Sequence, residues 1–74
     1  MLYAIVLFCA LAVSPENCDE ASASHYEHVP GGNTQSLGCF MQAETWVAEH
    51  GITPNPGEYA KVRCSRHEFG HPTG

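Results

Sequence analysis

The groups in this chain that can do chemistry are its thiols and imidazoles. Four cysteines (Cys9, Cys18, Cys39 and Cys64) and five histidines are spread over 74 residues. A cysteine can form a disulfide, ligate a metal as thiolate, or pack as a small apolar group. The densest cluster lies toward the C-terminus, where Cys64-Ser65-Arg66-His67 is followed by His71. With Cys39, these make a candidate Cys2His2 zinc set of Cys39, Cys64, His67 and His71, because thiolate and imidazole suit a tetrahedral borderline-soft ion. Zinc sites usually present two close ligand pairs on rigid turns, and Cys39 stands alone. The primary expectation is therefore no cofactor, with zinc as the alternative.

His67-Glu68-Phe69-Gly70-His71 also spells the His-Glu-x-x-His pattern of zinc proteases. That chemistry needs both imidazoles on one helical face. Gly70 and Pro72 oppose a helix there, and so short a chain leaves little bulk for a substrate cleft. His25 and His28 read as solvated imidazoles. Trp46 reads as core or interface. Gly31-Gly32 is a turn, not a phosphate loop. No Ser-His-Asp or Cys-His relay follows from the spacing, so a non-enzymatic protein is expected.

Composition narrows the partners. Eight acidic residues face three basic ones, for a net charge of −5. The cations, Lys61, Arg63 and Arg66, crowd into one short stretch. Nucleic-acid binding needs a basic face to neutralise phosphates, and an anionic membrane surface makes a similar demand. Neither is expected. A domain of this size is marginal and usually gains support from disulfides, a metal or oligomerisation.

The elements that would position these groups begin with residues 2–13, LYAIVLFCALAV. Tyr3, Ile5, Val6, Leu7, Phe8 and Val13 are strand formers. A continuous apolar strand is usually covered on both faces. The run also has the length of a signal h-region, with Ala21-Ser22-Ala23 as a cleavage-like site. It lacks a preceding Lys or Arg, and Glu16, Asp19 and Glu20 lie before that site. It is too short to span a bilayer. A cytoplasmic or virion-associated protein is expected, with export as the alternative.

Ser14-Pro15-Glu16-Asn17 supplies turn chemistry. Residues 18–29 read as a partly exposed second strand centred on residues 25–29, with a helix over 19–24 as the alternative. Pro30-Gly31-Gly32-Asn33 is a break. Residues 36–50 predict an amphipathic helix, with Gly38, Gln42, Thr45 and Glu49 as its polar stripe. Leu37, Cys39, Phe40, Met41, Ala43, Trp46, Val47 and Ala48 would form a wide buried face. Glu44 falls inside that apolar arc without explanation. Thr34 or Ser36 could cap the start, and Gly51 suits the C′ position. Residues 59–64 alternate as a half-buried strand, with Ala60, Val62 and Cys64 opposite Tyr59, Lys61 and Arg63. Residues 65–74 read as a flexible tail after a single domain over 1–64.

The order β-β-α-β predicts an α+β unit. Its three-stranded antiparallel sheet has the order 2-1-3, with one helix on one face. The apolar first strand is then central. Cys39–Cys64 and Cys9–Cys18 are the pairings this topology favours, if disulfides form. Four reduced, buried thiols are the alternative, favoured in a reducing cytosol. One helix covers one face of strand 1, which predicts an uncovered apolar face and hence a protein partner or second copy. Tyr3, Ile5, Leu7 and Trp46 are the interface candidates.

Three segments resemble a pattern in short, uncharacterised cysteine-containing bacterial proteins. They are Pro15-x-x-Cys18 closing the apolar start, the helix opening Cys39-Phe40-Met41 with Ala43, Trp46 and Ala48, and the terminal Val62-Arg63-Cys64. The resemblance implies no activity. The expected function is that of a small structural or interaction protein, self-associating or within a larger assembly such as a phage or virion accessory subunit. A zinc module and an exported disulfide-stapled protein are the alternatives.

Overall fold

The structure, a computed structural model, describes residues 1–66. Its elements are β1 (Tyr3–Ala10), β2 (His25–His28), α1 (Ser36–Glu49) and β3 (Glu58–Ser65), with a single 3-10 turn at Pro15–Asn17. The sheet has three strands in the order β2-β1-β3. Both pairings are antiparallel, and Val6 sits opposite Glu27 on one side and Val62 on the other. This is the α+β unit that the hydropathy pattern predicts. β1 is central because it is the one strand apolar on both faces. The flanking strands carry polar residues to the edges, and all of β2 is exposed.

Side chains alternate across a strand, so β1 feeds two clusters. Ala4, Val6 and Phe8 pack with Val29, Cys39 and Ala43 beneath α1. Ile5, Leu7 and Cys9 pack with Cys18 on the opposite face, flanked by Val13, Ala23 and Tyr59. Full burial of each large apolar side chain contributes roughly 1.5–3 kcal/mol, and Ile5, Val6, Leu7 and Phe8 are all 0–1% exposed.

The expectation of an uncovered face on β1 is corrected. The chain does not turn tightly from β1 into a strand that opens at Cys18; β2 is confined to His25–His28. Residues 11–24 fold back across the sheet as a strap and cover that face. Ile5 and Leu7 are therefore core residues and cannot form an interface. The other two interface candidates, Tyr3 and Trp46, are half-buried. The strap is held by the Cys9–Cys18 disulfide and by the outward side chains of β3. The Tyr59 hydroxyl donates to the Val13 carbonyl at 2.6 Å. Lys61 Nζ donates to the carbonyls of Pro15 and Cys18. Arg63 pairs with Glu20 at 2.6 Å. Residues 19–24 are not a helix. The Asp19 carboxylate accepts the backbone N–H groups of Ala21 and Ser22, both at 3.0 Å, and closes a turn instead.

α1 begins where predicted and stops one residue short, at Glu49. Neither Thr34 nor Ser36 caps it. Gln35 is the N-cap residue and makes no side-chain cap. Asn33 Oδ1 accepts the Gln35 N–H at 3.0 Å. The Asn33 side chain also lies over Gly38, where a Cβ would come within 2.5 Å of it and displace it. At the other end Gly51 takes φ +62°, the left-handed C′ conformation.

The rotation of the helix differs from the predicted one. Only Cys39 and Ala43 are buried, with Trp46 and Val47 half-buried beside them. Leu37, Phe40, Met41 and Ala48 are exposed, as is Glu44. The small inward residues let α1 approach the sheet closely, and the bond from Cys39 to Cys64 pins that rotation. Glu44 is thereby explained: it lies on the solvent side. Gln42, placed in the polar stripe, turns to the β2–α1 connection and donates to the Pro30 carbonyl at 3.1 Å.

Candidate functional site

All four cysteines are paired, Cys9 with Cys18 and Cys39 with Cys64. Their Cα separations of 6.0 and 6.4 Å lie in the ordinary range. Strand order explains both pairings. Cys9, high on β1, meets the strap just after its 3-10 turn. Cys39, in the first turns of α1, meets the far end of β3. One bond staples each face of the sheet. The sequence separations are 9 and 25 residues. Loop-closure entropy at those lengths corresponds to roughly 2.6 and 3.5 kcal/mol.

The pairing bears on the candidate zinc set. Cys39 and Cys64 are joined to each other and offer no thiolate, so zinc binding would need the reduced chain. His67 and His71 lie outside the described residues. Among the described residues no group of three His, Cys, Asp or Glu side chains is arranged to hold a metal ion.

A histidine–carboxylate pair sits at one end of the sheet. The His25 ring stacks on Phe8 with centroids 4.4 Å apart. Its Nε2 lies 3.3 Å from Glu58 Oε1. The Glu58 carboxyl is held below the usual carboxylate range, chiefly by the Ser24 hydroxyl, then by the Asn55 N–H and His25. In a nucleophilic relay the hydroxyl meets the imidazole. Here Ser24 meets the carboxylate instead, an order suited to clamping β2 and β3 together across β1.

The outer face of α1 is the exposed apolar feature. Leu37 is 70% exposed, Met41 58% and Phe40 39%. They lie three and four residues apart, on one side of the helix. Beside them a groove of about 460 Å³ runs between α1 and the β2–α1 connection, lined by Val29, Pro30, Met41, Gln42 and Trp46 among others. Met41 joins the exposed face to the groove, and Trp46 lines its floor beside His50.

Sequence reasoning missed both this face and the strap. The signal for the face was Glu44, which falls at helical spacing from Leu37, Phe40 and Met41 and shares their side. The signal for the strap was the outward set Tyr59, Lys61 and Arg63, which carries donors able to reach backbone carbonyls. Among the described residues no helix is long and apolar enough to cross a membrane. No protein-family model, curated protein or solved structure matches the chain.

Proposed function

We propose that this chain is a small disulfide-stapled structural or interaction protein, working by presenting a surface and not by catalysis. It self-associates or sits in a larger assembly. The observation that carries this reading is the outer face of α1, where Leu37, Phe40 and Met41 stand exposed on a helix pinned by a disulfide. Clustered exposed apolar side chains of this kind mark protein contacts. The surface differs from the one the sequence suggests, since Ile5 and Leu7 are buried. Light scattering across a concentration series tests the reading. A mass that rises with concentration is expected. A strict monomer that also fails to bind an apolar-surface dye sinks it.

The disulfides favour a second reading, an exported protein, because such bonds persist in oxidising compartments. Cleavage after Ala23 would remove β1, Cys9 and Cys18, and with them the centre of the sheet. An exported form with this fold therefore retains residues 1–23. Intact mass of the mature protein, with and without reductant, decides it. A species starting at Ser24 is incompatible with the described fold.

A further inference from the structure

The two disulfides stand in different surroundings. Cys9 is 0% and Cys18 1% exposed, sealed between the sheet and the strap. In the other bond Cys39 is 1% exposed, whereas Cys64 is only half-buried, near the end of β3. Thiol–disulfide exchange requires a thiolate to reach one sulfur in line with the bond, so access decides which bond reacts and at which atom. We propose that Cys39–Cys64 is a thiol-exchange site, attacked at Cys64 by a small anionic thiol, while Cys9–Cys18 stays closed in the folded protein.

The chemistry balances as follows. The incoming thiolate forms a new S–S bond to Cys64 Sγ, and the Cys39–Cys64 bond breaks. Its electron pair leaves on Cys39 Sγ, which takes a proton from water according to its acidity. A second thiol then displaces Cys64, leaving two protein thiols and the small-molecule disulfide. Two external thiols are oxidised, and one protein disulfide is reduced.

Local charge favours this direction. The leaving sulfur belongs to the first turns of α1, where no acidic residue and no side-chain cap competes for the positive end of the helix. Lys61 and Arg63 project from the face of β3 opposite Cys64, where Lys61 meets the Pro15 and Cys18 carbonyls of the strap. Arg63 is engaged with Glu20, and Arg66 is exposed just beyond Cys64. In a protein of net charge −5, Arg66 lessens the repulsion that an anionic thiol meets at Cys64. Exchange would release α1 from β3 and leave the strap stapled. This inference does not rest on the proposed interaction role.

Reduced glutathione is the probe. The oxidised full chain is incubated with it under native conditions, quenched with iodoacetamide at intervals, and mapped by mass spectrometry of non-reduced digests. A glutathione adduct on Cys64 with alkylated Cys39 is expected. It should accumulate at least tenfold faster than any modification of Cys9 or Cys18. A ratio below tenfold, an adduct on Cys39 with Cys64 freed, or no attack at Cys64 before the protein unfolds overturns the proposal.

Discussion

Single side chains on β3 and the strap carry much of the specificity at the residue scale. Tyr59 is half-buried, and its hydroxyl donates to the Val13 carbonyl across 46 residues of sequence. Tyr59→Phe keeps the ring in place and leaves that carbonyl unpaired. A loss of about 1 kcal/mol is expected in urea unfolding, the ordinary net value of such a bond. Asp19 works through its charge. Its carboxyl is held below the usual value of 3.8, first by the Ser22 N–H and then by the Ser22 hydroxyl. Glu58 is likewise held below its usual 4.5, first by Ser24. A carboxyl depressed in the folded state contributes stability that is complete above its unfolded pKa. That stability is lost as pH falls through the folded value. Stability from these two groups should therefore be flat from neutral pH down to about 5 and decline below about 4. Asp19→Asn should unfold more easily than the parent at pH 7 and should narrow the gap at pH 3. Equal gaps at both pH values would show that the charge of Asp19 contributes nothing.

The strap and the helix rotation are where burial departs from what hydropathy predicts at the element scale. A substitution pair separates the two accounts. Leu7→Ala should cost 2–5 kcal/mol, the range for a buried leucine, because the strap seals it. Leu37→Ala should stay within about 0.5 kcal/mol, because that side chain is largely in solvent. Denaturant titrations of the two variants suffice, and a reversed order would mean that the strap is open and the helix is turned inward. The strand order and both disulfide partners were legible in the sequence, because one strand alone was apolar on every position and had to be central. The two faces of residues 59–64 were legible for the same reason of period, but their burial was not, since Ala60 is exposed and Tyr59 and Lys61 are half-buried against the strap. The strap was not legible. Its apolar contacts come from Val13, Cys18 and Ala23, which follow no repeating period, and its polar contacts reach residues far along the chain. The helix rotation was hidden by size. A hydropathy wheel favours turning Leu37, Phe40 and Met41 inward, but close packing on a short sheet selected Cys39 and Ala43.

For the molecule as a whole, the question becomes how a slab of 32 × 31 × 17 Å meets other molecules. Both faces of its central strand are covered from within the chain, so the fold does not need a partner to complete its core. On the proposed role, association is carried by α1, and that makes it separable from folding. Each copy carries a net charge of −5, which opposes self-association and is screened by salt. Apolar contact through Leu37, Phe40 and Met41 favours it and strengthens with sulfate. Sedimentation velocity should therefore show a mass that rises with protein concentration and rises further in sodium sulfate. The double variant Leu37→Glu, Met41→Glu should remain monomeric under the same conditions. Its thermal midpoint at low concentration should match the parent within a few degrees, since both side chains are already exposed. Association that survives the double variant would place the contact elsewhere, and the exposed edge of β2 would then be the face to alter next.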